Sequence, residues 1–264
     1  MKFNARLDGD AEVIRLLARY PQRIGRTMVS LVKQEARGLA VELARTTRPF
    51  GFSDGARKIG EAAVAKDVLK VFATPDQAYE SAKAADMAAA DRFWAHMQNR
   101  RFARARQALA ESPSKWRDLP LGRLDPKHHK ESRVGPKAKV TRREPAQIVT
   151  SRKPLDTYIA RIQRRVGFAK GVWINAAKAL GGRVRGAAKW ATRHKQAPGT
   201  AKMKTGERPS ISLISRLDYM EEVTTETGIQ LALSAAAGRL RIALATSLRV
   251  VQERMNRALR RRAS

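Results

Sequence analysis

Apolar residues return every three to four positions along most of this chain, the period of an α-helix with one buried face. Val13, Leu17, Tyr20, Ile24, Met28, Leu31, Leu39 and Leu43 mark the first stripe, after a short strand at residues 2–7. Pro21 has no N–H to donate, so this helix restarts or kinks there, and Pro49 with Gly51 ends it. A second helical stretch, 56–72, keeps Ile59, Ala63, Val64, Val68 and Val71 on one side. Thr74 then stands as an N-cap, with Pro75 at the first helical position and Asp76 favouring the helix dipole. The Ala-rich run to Glu111 follows as a helical hairpin that turns near residues 98–100.

Farther along, Pro154 opens one helix through Tyr158, Ile162, Val166, Trp173 and Ala177 to Leu180, with Gly181 and Gly182 as its stop. Residues 146–151 read as a strand. Residues 210–219 read as another, because Ile211, Leu213 and Ser215 alternate with Ser212, Ile214 and Arg216, while 196–209 reads as flexible. The last stripe is the most regular: Leu233, Leu240, Leu244, Leu248, Val251, Met255 and Leu259, with Ala237 in the longest gap. A helix of that kind needs a partner helix or an oligomeric seam.

These elements predict a predominantly helical α+β fold, with long N- and C-terminal helices packed on a small sheet. Residues 1–73 and 154–264 form the core domain, 74–112 a helical hairpin insert and 113–153 an extended basic arm. The arm assignment rests on Pro113, Pro120, Pro126, Pro136 and Pro145, among twelve Lys or Arg and four acids. Removing 118–144 is expected to leave the helices intact.

Charge changes the picture from fold to partner. The chain of 264 residues has 54 Lys and Arg against 24 Asp and Glu, a formal net charge of +30. Residues 157–206 contain twelve of those cations and no acid. Such a surface calls for a polyanionic partner. The candidate contacts to nucleic acid or partner are Arg142, Arg143, Arg161, Arg164, Arg165, Lys170, Arg183, Arg185, Lys189 and Trp190. Trp173 and Trp190 could each stack on bases or be core, and Trp173 lies on the apolar face of its helix. The absence of zinc-finger spacing and of an aromatic RNP motif leaves contact with phosphate, without sequence readout.

Catalytic chemistry has little to stand on. Cysteine is absent, which excludes thiolate ligands, disulfides and cysteine nucleophiles. His128 and His129, beside Asp125 and Glu131, read as a solvated loop, and Glu221 with Glu222 as the acidic start of a helix. Gly55 and Gly60 have phosphate-loop spacing, but Glu61 and Ala62 follow where Lys and Ser or Thr are required. The chain therefore reads as a non-enzyme without cofactor or metal. Residues 1–10 lack an apolar signal core, and Arg239 with Arg241 interrupts the most apolar span, 229–248, so no membrane partner is expected.

Several stretches together resemble tail-component proteins of long-tailed bacteriophages, the head-tail joining and tail-completion group that includes minor tail protein Z. They are Val13 to Pro21, Val71 to Pro75 with Phe93 and Trp94, Tyr158 to Trp173 closing at Ala179 to Gly182, and the strand ending Leu217-Asp218-Tyr219 before the last helix. The family's asparagine-to-tyrosine pattern is Arg216-Leu217-Asp218-Tyr219 here, and the insert from about 74 to 153 exceeds the simpler members. The resemblance implies a structural virion protein at the neck or tail, assembled in the bacterial host cytoplasm. Its partners would be its own copies in a homo-oligomeric ring, tail tube or terminator, and head-tail connector or portal, with non-specific contact to double-stranded DNA. The charge alone equally suits a sequence-nonspecific packaging or nucleoid protein.

Overall fold

A computed structural model describes residues 3–7, 28–133, 140, 142–181, 184–205 and 209–263. The expected helix between Val13 and Ile24 lies outside the described residues. The chain divides into two compact units, Met1–Arg57 with Gly167–Ser264, and Lys58–Val166. Both are mixed: helices flank a small three-stranded sheet in each.

In the first unit β1 (Phe3–Leu7), β5 (Gly199–Lys204) and β6 (Ser210–Ser215) form an antiparallel sheet with β6 in the middle. Phe3 and Gly199 both face Ser215, and Leu7 and Met203 both face Ile211. β6 shows the alternation its sequence promised, burying Ile211, Leu213 and Ser215. β5 takes up 199–204 of the stretch 196–209 expected to be flexible. Lys202 and Lys204 hide it from a pattern search, because an edge strand carries exposed charge by design.

Helix α1 (Met28–Thr46) buries Leu31, Val32, Leu39, Ala40, Leu43 and Ala44 against α8 (Phe168–Ala179) and α11 (Glu226–Ala263). α8 is enclosed nearly all round; Val172, Trp173, Ile174, Ala176 and Ala177 have no exposed surface. The sheet reaches it through Gly199, where any Cβ would overlap the Val172 carbonyl. On α11 the buried positions are Ile229, Ala232, Ala236, Leu240 and Leu244. Leu233, expected on that stripe, is only half-buried, because small Ala232 and Ala236 let α1 close in beside it. The side chains of Leu248, Val251, Met255 and Leu259 lie outside the described residues.

In the second unit β2 (Phe72–Ala73), β4 (Gln147–Val149) and β3 (Leu121–Gly122) run parallel with β4 central. Helices α3 (Pro75–Lys83), α4 (Met87–Gln98) and α5 (Phe102–Glu111) pack Ala78, Ala82, Ala90, Phe93, Ala105 and Leu109 around Ile148. The Thr74 signal is realised in full: its hydroxyl accepts the Gln77 N–H while the Gln77 side chain accepts the Thr74 N–H. The expected hairpin is three helices, since Asp86 caps a fresh start by accepting the Ala89 N–H. Helix α2 (Asp54–Leu69) contributes Val68, which packs with Val71, Phe72, Leu155 and Tyr158 of the second cluster.

Two expectations change here. Residues 113–153, read as an extended arm, carry β3, β4 and helix α6 (Pro126–Glu131), and bury His129, Val140, Ile148 and Val149. Asp125 caps α6 and Pro126 fills its first turn, so these turn-forming residues start structure as well as interrupt it. The single helix from Pro154 to Leu180 is two, α7 (Arg152–Gln163) and α8. Gly167 separates them at φ 91°, where a Cβ would stand 2.7 Å from the Trp190 ring, so only glycine fits. The short helices α9 (Lys189–Thr192) and α10 (Met220–Val223) complete the chain, and among the described residues no helix is long and apolar enough to cross a membrane.

Candidate functional site

The residues expected to touch a polyanion fall into two groups. Arg142, Arg143, Arg161, Arg164, Arg165, Arg185 and Lys189 are exposed. Arg183 lies outside the described residues. Lys170 and Trp190 are buried, which corrects their assignment as contacts.

Lys170 has no exposed surface, and Nζ donates to the carbonyls of Ala44 at 2.6 Å and Thr47 at 2.7 Å. Those acceptors sit at the C-terminal end of α1, where carbonyls lack helical partners and the dipole favours a cation. The rings of Phe52 and Trp190 lie 5.1 and 5.6 Å from the ammonium, and Trp190 Nε1 donates to the Phe52 carbonyl. Trp173 Nε1 donates to Thr47 Oγ1 next to it. Burial, with Arg45 nearby, pulls the Lys170 pKa down to about 7. This is a structural lysine that closes a helix end.

His129 is likewise buried, not solvated as its loop composition suggested. Its Nδ1 is 2.8 Å from the Tyr158 hydroxyl, and Nε2 is 3.7 Å from Asp67. Burial pushes the Asp67 carboxyl upward, but His129, the Val140 N–H and Arg133 outweigh it and hold the pKa below the ordinary value. Arg133 reaches the carboxylate at 3.3 Å. Among the described residues no group of three or more His, Asp or Glu is placed to hold a metal.

Of the exposed cations, Arg161 lies on α7, and Arg164 and Arg165 stand in the turn after it. Lys153, Thr157 and Arg161 wall an open cavity of about 530 Å³ that Ser151, Tyr158 and Leu124 help to close. Arg161 lays its guanidinium over the Tyr158 ring at 5.0 Å, which fixes a side chain that would otherwise move freely. Ser151 stands at the N-cap of α7 in extended conformation, yet makes no side-chain cap bond. Tyr158 pKa is raised, by burial first, so the phenol keeps its proton. The wall is thus cationic and hydroxyl-bearing, with no carboxylate in it.

Lys153 and Ser151 were not singled out from sequence. The spacing Lys153, Thr157, Arg161 was visible as one helical face, but only the fold puts a cavity beside it. A different surface lies on α11, where Leu231 is 62% and Ile242 is 69% exposed. They are eleven residues apart, three helical turns, and so share a face away from the buried stripe. No protein-family model, curated protein or solved structure matches the chain.

Proposed function

We propose that this chain is a structural virion protein of a long-tailed bacteriophage, completing the tail and joining it to the head-neck connector as part of a ring. The observation that carries the reading is the outer face of α11, where Leu231 and Ile242 are exposed on one side of a long helix and offer apolar contacts to a neighbouring subunit. A ring of identical copies supplies such neighbours at every position. The sequence resemblance around Val13 to Pro21, Tyr158 to Trp173 and Leu217 to Tyr219 supports the same assignment. So does the pairing of long helices on a small sheet.

The net charge of +30 fits a duct for duplex DNA or acidic neighbouring proteins. No reaction is needed, and the buried histidine and lysine serve the fold. A tagged pull-down from a nuclease-treated, phage-producing lysate tests the proposal. Recovery of tube, terminator, connector or portal proteins is the expected result; recovery of nothing once DNA is digested overturns it.

The second reading is a sequence-nonspecific nucleic-acid binder, favoured by the cationic wall at α7. It predicts binding by the monomer that weakens steeply with salt. A flat salt dependence removes it.

A further inference from the structure

α7 presents its cations in a row. Lys153, Thr157 and Arg161 follow at intervals of four, so they line one side of the helix over about 12 Å at 1.5 Å per residue. Arg164 and Arg165, in the turn after the helix, carry the positive charge onward, and all five side chains are exposed. Among the described residues neither Lys153 nor Arg161 has a carboxylate partner. Asp156, the acid within this helix, is engaged by Arg152 at 3.6 Å.

The row is anchored from below. Arg161 rests on the Tyr158 ring, Tyr158 is tied to His129, and His129 faces Asp67, which also receives Arg133. A guanidinium held in this way gives up less conformational freedom on binding than one on an unsupported stem. The Ser151 hydroxyl, unused as a cap, borders the same cavity.

We propose that this row and its cavity form a track for the phosphodiester backbone of duplex DNA. Lys153 and Arg161 contact separate phosphates along the same stretch of backbone, Ser151 donates to a phosphate oxygen, and Arg165 extends the track. A free phosphate would need the cavity alone; the positive charge running past it to Arg164 and Arg165 fits a continuous polyanion. Contacts of this kind position a backbone without reading bases, so binding is independent of sequence. The inference stands apart from the tail reading, since a virion protein beside packaged DNA and a free DNA binder both need such a track.

The test uses the full chain and a random-sequence duplex, titrated between about 50 and 200 mM salt. The site variant is Lys153→Gln, Arg161→Gln, Arg165→Gln; the charge-matched control is Arg104→Gln, Arg106→Gln, Lys130→Gln, three exposed cations elsewhere on residues 58–166. The site variant is expected to bind about tenfold more weakly and to lose about 2 to 3 from the slope of log K against log salt. The control should stay within about twofold and keep its slope. Equal losses in both would show diffuse attraction only and overturn the track.

Acetylation of exposed lysines, read by mass spectrometry, supplies a local readout: DNA should shield Lys153 and leave Lys130 reactive. If inorganic phosphate shields Lys153 as well as DNA does, or polyglutamate displaces DNA at equal charge, the backbone assignment fails. Should loss of the Tyr158 contact unfold the triple variant, Lys153→Gln with Arg165→Gln touches no ring and should still lower the slope by about 1 to 2. An unchanged slope in that pair likewise overturns the proposal.

Discussion

Lys170 Nζ stands 2.6 Å from the Ala44 carbonyl oxygen, so a lysine from α8 closes the end of α1. Two carbonyls accept from it, and a neutral amine has the two N–H groups needed to satisfy both. The site can therefore lose its proton without losing its bonds.

Lys170→Met should destabilise the protein by about 2 kcal/mol near neutral pH, by stranding two buried carbonyls. The pH dependence has a fixed sign. Because the folded pKa is about 7 and the usual value 10.5, the unfolded chain holds the extra proton between those values. The Lys170 contribution to stability should rise with pH across that window and be constant below it. Thermal melts of both proteins from about pH 6 to 10 should show the gap widening as pH rises; a gap that narrows contradicts this assignment.

Asp67 behaves in the opposite way. Its folded pKa lies below the unfolded one, so its contribution is present above about pH 4 and is lost as pH falls through the folded value. Asp67→Asn should cost about 1–2 kcal/mol at neutral pH and flatten the acid side of the stability profile. Urea midpoints measured against pH would show it. An acid limb identical to wild type would mean that another carboxylate governs acid unfolding.

Glu35 on α1 is buried and receives Arg239 of α11 at 3.2 Å. Gly38 leaves room for that guanidinium, since a Cβ there would come within 3.1 Å of it. Among the described residues the buried Arg239 NH2 group has no hydrogen-bond partner. Glu35→Leu should therefore cost about 2–3 kcal/mol by leaving a charge unpaired, while Glu35→Leu with Arg239→Met should recover most of it. Chemical denaturation of the two single variants and the double variant measures the coupling; additive losses would show no coupling.

Deleting residues 118–144 removes β3, α6 and the buried His129 and Val140. This should unfold the unit at 58–166, with protease cutting α3 to α5 and a clear loss of helical signal. A full far-UV spectrum after the deletion would restore the picture of a detachable arm.

Local signals were legible wherever the chemistry is local. Thr74 and Pro75 start α3 as their types require, and Trp173 is core because it sits on the apolar side of its helix. The predominantly helical α+β class followed from the same periodicities. Lys170 was misread because its reasons for burial, Ala44, Thr47 and Phe52, come from a distant stretch of chain. His129 was misread in the same way, since Asp67 and Tyr158 find it only through the fold. β5 escaped because its partner β6, not its own pattern, makes it a strand. The break at Gly167 depends on the Trp190 ring, which no window around residue 167 contains.

Because β6 lies between β1 and β5, the timing of synthesis matters. Leu7 pairs with Ile211, so β1 waits for residues made about 200 positions later. At about 5–20 residues per second that delay is some 10–40 s. Residues 58–166 are complete well within it and can fold first. Throughout the interval the β1 backbone offers its N–H and C=O groups to water, to a chaperone or to another nascent chain.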